Sequence, residues 1–434
     1  MGLVNKKGDM TPFDMREKPM KPSLLLPVIW GGSFLMTRQF GLKIEKVNME
    51  GLKPPYLVLS THQGFSDYYI GPLSVFPHRA MYVSDMEGFA AFGKTLYRAI
   101  GCIGKRRYVP DTNVILNIKY ALKEKQVVMI FPESRHSNIG ITAEIPDNLG
   151  RLVKMLKVPL VILSANGSYL ANPFWNEEKT RKVPMRAKIE CVYREEEIRT
   201  LSAEVIQKKI EEKLQYDEYR YQQENGIKIT APDRAEGLEK ALYQCISCKT
   251  KYKMISSGAK LSCKACGKEW TLTEEGRLND IHPPKWYLFQ KEEVEREMEA
   301  YCAEKRENNG IGKFGVKNVD EYGAGTEFIK QFSVRVEALP NEKGFINLGE
   351  GRLTLSKDEF WLEYCDLTGR DTILQFPHKF RESVQTEYNY RKKGKCIVLS
   401  TKDCCYYVYS DDKRFEPTEL QFAGEYFFKE SRNM

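Results

Sequence analysis

Short apolar runs alternate with helical patterns in the first half of the chain. Between residues 41 and 194, strand-like runs such as YLVLST, QVVMIF and PLVILSA are separated by amphipathic stretches such as DTNVILNIKYALKEK. Several of these runs are apolar throughout, which is typical of strands covered by helices on both faces of a sheet. The pattern predicts a mixed α/β domain over 41–194, with its sheet flanked by helices.

The pattern changes after residue 194. Residues 195–242 are highly charged and predict a helical connector packed on one face. Its apolar positions at helical spacing are Ile198, Leu201, Val205, Ile210 and Leu214. Residues 276–326 predict a polar helical linker that ends in a glycine-rich segment around EYGAGTE.

The C-terminal part, residues 327–434, returns to β-type alternation. A series of short runs, GFINLG and GRLTLS among them, predicts a small β domain, a sandwich or barrel. The tail EPTELQFAGEYFFKE predicts a closing helix with Thr418 as its N-cap. In this order of strands and final helix the segment resembles a pleckstrin-homology-like module.

Length and composition describe a multidomain chain of ordinary globular type. At 434 residues it exceeds what one core usually organises, so two to four domains are expected. Hydrophobic residues make up 42% and charged residues 29%, which argues against wholesale disorder and against a many-span membrane protein. The net charge of +8 fits a surface that faces phosphates, on lipid headgroups, nucleotides or nucleic acid.

One apolar run stands apart near the beginning of the chain. SLLLPVIWGGSFLM, residues 23–36, is shorter than the roughly 20 residues that a spanning helix needs. It follows Lys18 and Lys21 as a signal peptide would, but no clear small-residue cleavage site comes after it. A buried core helix and an interfacial helix anchored by Trp30 both fit the pattern.

Four of the eleven cysteines form two close pairs, Cys245 with Cys248 and Cys263 with Cys266. Such pairs are metal-binding knuckles, and two of them supply a tetrahedral Zn²⁺ site, although the same thiolates could hold iron. Because protein ligands fill all four positions, the zinc is predicted to be structural, in a zinc ribbon over 243–275. The odd number of cysteines and this spacing favour a reducing cytoplasm over a disulfide framework. The surrounding lysines are interpreted as solvated, so nucleic acid is not a predicted partner.

Candidate chemistry begins where the second strand-like run ends. In YLVLSTHQGFSDYY, residues 56–69, His62 follows the run and Asp67 stands five positions later. Residues five apart do not share a helical face, so the pair suits a turn that points both side chains into one space. A carboxylate on one imidazole nitrogen fixes the tautomer and leaves the other nitrogen free to take a proton. The pair predicts a general base without an enzyme nucleophile; a structural histidine at a capped helix start is the alternative.

Two further polar clusters stand at other strand or helix ends. GCIGKRRY is predicted to be a loop after an apolar helix, and its basic residues could hold a dianionic phosphate. VVMIFPESRHS ends a buried strand in a second cluster, and such strand-end loops are where α/β sheets place their sites. The candidate residues are Lys105, Arg106, Arg107, Glu133, Ser134 and Arg135.

These three clusters, followed by VPLVIL, resemble the glycerolphosphate and lysophosphatidate acyltransferase superfamily. The family's blocks are His-x4-Asp, then Gly with Arg six residues later, then usually Phe-Pro-Glu-Gly-Thr-Arg-Ser, then Val-Pro before apolar residues. The matching positions are His62 and Asp67, Gly101 and Arg107, FPESRHS at 131–137, and Val158 and Pro159. In the third block Ser134 replaces Gly, and the basic residue stands one place early as Arg135, with His136 in the family's Arg position. Ile162 stands where a second Pro is common in the fourth block.

The resemblance implies transfer of a fatty acyl group from acyl-CoA or acyl carrier protein to the free hydroxyl of a lysophospholipid. The simplest acceptor is 1-acylglycerol-3-phosphate, which gives phosphatidate. His62 would be the general base and Asp67 its orienter. Arg107, together with Lys105, would hold the acceptor phosphate, and Glu133 with the loop after it would complete the acceptor site.

The same resemblance favours a membrane-facing role for residues 1–40, in a cytoplasmic protein peripheral on the inner face of the membrane. Two other hypotheses remain. The first is a zinc-ribbon binding or scaffold protein whose acyltransferase domain is catalytically silent. The second is an acyl thioesterase in which His62 activates water; a serine esterase is not favoured, because the chain has no G-x-S-x-G motif.

Overall fold

The computed structural model describes residues 4–5, 8–20, 26–176, 178–279, 285–307, 316–319 and 325–433. The predicted α/β part consists of α1 (Leu26–Arg38), β1 (Lys43–Val47), β2 (Tyr56–Ser60), α2 (Asp67–Val75), β3 (Ala80–Asp85), α3 (Met86–Phe92), α4 (Lys94–Ala99), β4 (Cys102–Lys105), α5 (Thr112–Lys123), β5 (Val127–Ile130), α6 (Leu149–Leu156), β6 (Leu160–Asn166), α7 (Ser168–Ala171) and β7 (Arg186–Tyr193). The connector forms α8 (Glu195–Thr200), α9 (Ala203–Lys213) and α10 (Glu218–Glu224).

The second half of the chain holds two further groups of elements. The cysteine module and the linker contain β8 (Met254–Ser257), β9 (Lys260–Cys263), β10 (Glu269–Thr271), α11 (Phe289–Glu307), β11 (Val316–Val319) and β12 (Gly325–Phe328). The C-terminal part consists of β13 (Lys330–Leu339), β14 (Ile346–Leu355), β15 (Glu359–Cys365), β16 (Asp371–Pro377), β17 (Gln385–Glu387), β18 (Cys396–Ser400), β19 (Cys405–Tyr409) and α12 (Pro417–Asn433).

The first sheet is mixed and buried on both faces. Its order is β1-β7-β6-β2-β5-β3-β4; the β6–β7 pair is antiparallel and the other neighbours are parallel. Along β2, Tyr56 and Val58 join the core that contains residues of α2, whereas Leu57 and Leu59 join the core that contains residues of α5, α6 and α9. Every residue of β2 is therefore buried, and the predicted mixed α/β sheet is confirmed.

One edge of this sheet collects the predicted polar residues. β2, β5, β3 and β4 run parallel, so their carboxyl ends lie on the same side, where α/β folds place ligands. Lys105 is the last residue of β4, paired in register with Asp85 of β3, and does not lie in the predicted loop. The strand escaped prediction because it is four residues long and Gly104 interrupts its apolar pattern.

The C-terminal part is a seven-stranded antiparallel sheet in the order β16-β15-β14-β13-β19-β18-β17, closed by α12. The predicted small C-terminal β domain and its final helix are confirmed, and the sheet is antiparallel throughout. GFINLG and GRLTLS form the single strand β14, because the pairing shifts register across a bulge beside Gly349, which has φ 87°. Thr418 lies within α12 and not at its N-cap, and its hydroxyl donates to the carbonyl oxygen of Lys240.

The parts pack on one another through a continuous core. Met86 and Phe89 of α3 lie in one apolar cluster with Tyr407 of β19, and a second cluster runs from the α/β sheet through the cysteine module into the C-terminal sheet. In the connector, Val205 is exposed and Ile206 is buried in its place. The domain limits drawn from the sequence remain predictions.

Two segments singled out in the sequence are described only in part. α1 begins at Leu26, and residues 23–25 lie outside the described residues. Residues 320–324 of the glycine-rich segment are likewise outside, although the flanking strands β11 and β12 pair antiparallel. Among the helices that the structure describes, none has the length and apolar character to cross a membrane.

Candidate active site

The turn after β2 brings His62 and Asp67 together. Asp67 is the first residue of α2, and its Oδ2 lies 3.3 Å from Nδ1 of His62. The same oxygen accepts from the backbone N–H groups of Gln63, at 2.6 Å, and Gly64, at 3.1 Å. Gly64 suits the turn because a Cβ there would stand 3.2 Å from the carbonyl oxygen of Ser168. Asp67 thus caps the turn and also contacts the imidazole, a geometry that fits both the predicted catalytic pair and the structural alternative.

Glu133 supports His62 from the neighbouring strand end. Its Oε1 accepts from the backbone N–H of His62 at 2.8 Å, and its Oε2 accepts from the N–H of Ala143 and the hydroxyl of Tyr216, both at 2.8 Å. Burial raises the pKa of Glu133 to about 7, against the lowering effect of these hydrogen bonds. In this structure Glu133 is engaged in holding the backbone of the His62 turn.

Aromatic rings surround His62. The rings of Phe131 and His136 both lie with their centroids 4.5 Å from that of His62, and Tyr68 lies at 5.6 Å. His62 is 5% exposed, and this burial, together with His136, lowers its pKa to about 4 although Asp67 acts in the opposite direction. The imidazole is therefore neutral at physiological pH, as a general base requires.

Lys105 and Ser134 connect the second and third blocks. The ammonium of Lys105 donates to the hydroxyl of Ser134 at 3.2 Å. Ser134 has φ 57°, in the left-handed region where glycine is preferred, which explains the glycine that the related motif carries. The serine keeps that turn and adds a hydroxyl that a glycine would lack.

Arg107 is half-buried and pairs with Asp85, the residue that ends β3. Burial would raise the pKa of the Asp85 carboxyl, but Arg107 outweighs it and lowers that pKa. Arg107 also contributes to the low pKa of His62, so it lies close enough for its charge to reach the His62 imidazole. The sequence analysis did not predict Asp85 as the partner of Arg107. Its position, a carboxylate at the end of a parallel strand on this edge, was a signal that could have identified it.

Arg106 and Arg135 contact the C-terminal part. The guanidinium of Arg106 donates to the carbonyl oxygens of Lys402, Pro340 and Asp403 at 2.6, 3.1 and 3.0 Å. Arg135 forms a buried ion pair with Glu425 of α12, with 2.7 Å between Nη2 and Oε1. Both side chains are more than nine-tenths buried. The structure thus separates them from Lys105 and Arg107, with which the sequence grouped them.

The four predicted metal ligands form one cluster. The sulfur atoms of Cys245, Cys248, Cys263 and Cys266 lie within 4.8 Å of one another. The distance is 3.8 Å both between Cys245 and Cys266 and between Cys248 and Cys263. Thiolates bound tetrahedrally about 2.3 Å from zinc stand about 3.8 Å apart. The donor set and its spacing therefore fit a structural metal such as zinc, held between the two knuckles.

Comparison with known proteins bears on the first of these sites. The Acyltransferase family model matches residues 43–164, a range that includes all four motif blocks. Among solved structures, the 1-acyl-sn-glycerophosphate acyltransferase of Thermotoga maritima is similar at 17% identity and a TM-score of 0.37, covering 43% of this chain and 76% of that one. The search of curated proteins gave no significant match. Residues 43–164 are thus an acyltransferase domain, and the resemblance drawn from the four motif blocks is confirmed for that part of the chain.

Proposed function

We propose that the protein transfers a fatty acyl group from an acyl thioester, acyl-CoA or acyl carrier protein, to the free hydroxyl of a lysophospholipid. The simplest acceptor is 1-acylglycerol-3-phosphate, which would give phosphatidate. The observation that carries the proposal is the His62–Asp67 pair at the end of β2. The hydrogen bonds of His62 that the structure describes go to Asp67 and Glu133, neither of which is a hydroxyl or a thiol. The alcohol to be activated therefore belongs to the substrate.

The reaction follows from the state of His62. Asp67 holds Nδ1, so Nε2 takes the proton of the acceptor hydroxyl as its oxygen attacks the thioester carbon. The tetrahedral intermediate collapses with cleavage of the carbon–sulfur bond. The thiolate leaves and takes the proton from the imidazolium. Acyl ester and free thiol are the products, and the neutral imidazole is regenerated.

Lys105 and Arg107 are the proposed ligands of the acceptor phosphate. Both are half-buried at the sheet edge that carries His62, and Arg107 lies within electrostatic reach of the base. Arg106 and Arg135 are engaged with the C-terminal part, so we assign them no contact with the acceptor. A guanidinium beside an ammonium matches a dianionic phosphate monoester in charge.

The direct test is acyl transfer by the purified protein, with a labelled acyl thioester and a panel of lysolipids. His62→Ala is expected to lose at least roughly 10²-fold in rate, since that is the contribution of a general base. His78→Ala is the matched control, because His78 bonds Tyr56 at the opposite end of β2. Transfer to no lysolipid by the wild type, or equal transfer by His62→Ala, would contradict the proposal. Release of free fatty acid without acceptor would identify a thioesterase.

We further propose that α1 faces the inner leaflet of the membrane. Val28, Phe34 and Leu35 on this helix are 70, 60 and 67% exposed, and Phe65, three residues after His62, is 57% exposed. Burying such side chains in the headgroup region gains about 25 cal/mol per Å² of apolar surface. Phe34→Asp with Leu35→Asp is expected to abolish co-sedimentation with anionic phospholipid vesicles. Leu116→Asp, at an equally exposed position on α5, should bind as the wild type does; equal loss in both variants would contradict the assignment to α1.

A second candidate is a scaffold with a silent acyltransferase domain. It is favoured by the 5% exposure of His62 and by a cavity of about 370 Å³ on the C-terminal sheet, whose lining includes Arg335, Arg352 and Arg414. An absence of acyl transfer and of thioester hydrolysis, with an Arg352→Ala variant that loses a bound partner, would support it.

A further inference from the structure

Side chains of α12, in the C-terminal part, contact the loop that carries the third motif block, residues 131–137. Oε1 of Glu425 accepts from Nη2 of Arg135 at 2.7 Å, from the hydroxyl of Ser383 at 2.6 Å and from Nε2 of Gln421 at 2.8 Å. Ser383 also accepts from Nε of Arg135 at 3.2 Å. All of these side chains are buried. Two sides of the Arg135 guanidinium are thus fixed by residues more than two hundred positions away in the chain.

Arg135 also donates to the loop backbone, so the fixed position of its side chain constrains that backbone. Its Nη1 donates to the carbonyl oxygen of His136 at 3.0 Å. Three residues further along, Nδ2 of Asn138 donates to the Gln421 side chain at 2.5 Å and to the Thr386 hydroxyl at 3.1 Å. The C-terminal part therefore holds the segment 135–138 at both ends.

The held segment is the one that contacts the proposed base. The His136 ring lies 4.5 Å from the His62 ring, and the backbone N–H of Ser137 points to the carbonyl oxygen of Gln63 at 3.4 Å. A displacement at Arg135 would thus reach His62 through His136 and through Gln63.

The geometry points to a permanent clamp and not to a lid. A lid must separate its contacts readily, and separation here would break the buried Arg135–Glu425 ion pair together with the Arg135–Ser383 and Asn138–Gln421 hydrogen bonds. We propose that Glu425 and Ser383 are positioning residues of the acyltransferase site, which they serve from the C-terminal part by fixing segment 135–138 against His62. This inference rests on the proposed function.

The test compares Glu425→Gln with Glu419→Gln, a matched control. Glu419 is the same residue type on the same helix, equally buried, but it pairs with Lys251 at 2.8 Å and Lys330 at 2.5 Å, away from the loop. Acyl transfer is measured at a temperature where calorimetry shows each variant folded. Glu425→Gln is expected to lower kcat between about 10-fold and 10²-fold with little change in the KM for lysolipid, because the base is misplaced and the phosphate ligands are not. Glu419→Gln should keep the wild-type kcat.

Ser383→Ala is a second variant that removes two hydrogen bonds of the clamp and leaves no charge unpaired, so it decides the question if Glu425→Gln does not fold. It is expected to lower kcat in the same direction by a smaller factor. If the folded clamp variants have the same kcat as Glu419→Gln, or change only the KM for lysolipid, this inference is contradicted while the proposed function stands. An inactive wild type overturns the proposed function, and this inference falls with it.

Discussion

At the scale of single residues, the proposed base His62 lies in surroundings that oppose its protonation. Burial and the neighbouring His136 favour the neutral imidazole, and Arg107 acts in the same direction, whereas Asp67 opposes them. The result is a pKa of about 4, below the ordinary value of about 6.5. The sequence could predict the His62–Asp67 pair because both residues follow one strand. It could not predict His136 as a neighbour, since that contact joins two strand ends.

The pH dependence of acyl transfer tests this balance. Because His62 stays neutral down to about pH 4, kcat/KM in the wild type is expected to hold between pH 7 and 5 and to fall only below that range. His136→Asn removes a group that disfavours the imidazolium, so the pKa of His62 should rise and the acid limb should move to higher pH. His78→Asn, at the other end of β2, should leave the limb in place. A wild-type limb near pH 6.5, or superimposable limbs in the wild type and His136→Asn, would contradict this account.

At the scale of elements, the strands that are buried on both faces were the ones that the sequence predicted best. β2, β5 and β6 are apolar runs with both faces covered, and the sequence located them closely. β4 escaped because a four-residue edge strand carries little pattern, and β14 was divided because glycine within a bulge resembles glycine in a turn. The cysteine cluster was fully predictable, since two C-x2-C knuckles are local signals.

Loss of one cysteine ligand tests whether the site binds metal and how far the metal stabilises the rest of the protein. The protein is expected to hold one zinc ion per chain, and Cys248→Ser should release it and lower the melting temperature, because structural zinc supplies roughly 10 kcal/mol of folding free energy in small modules. The loss of stability should extend to α12, because Lys251 and Tyr252 of the module both donate hydrogen bonds to Glu419 of that helix. Metal analysis and calorimetry measure it. Cys365→Ser, at an exposed cysteine of β15, is the control. Equal metal content and melting temperature in the two variants would contradict the site.

At the scale of the whole molecule, the C-terminal part supplies hydrogen-bond acceptors to buried arginines of the acyltransferase domain. Arg106 donates to carbonyl oxygens more than two hundred residues away, and Arg135 donates to Glu425. The sequence predicted both arginines as site residues because it reveals the motif but not the partner, and pairs so distant in the chain leave no local pattern. This explains why basic residues that the sequence grouped together lie in two separate places in the structure.

Removal of residues 327–434 is therefore expected to prevent stable folding of the remainder. Arg106 and Arg135 would lose these acceptors and be exposed to water, in a chain whose total stability is expected to be about 5–15 kcal/mol, as in a typical protein. The apolar cluster that contains Met86 and Phe89 would also be exposed. Fragment 1–326 should be insoluble or lack a cooperative thermal transition, and co-expression of 327–434 should restore both solubility and the transition. A soluble fragment 1–326 that unfolds cooperatively alone would show that the acyltransferase domain does not depend on these contacts.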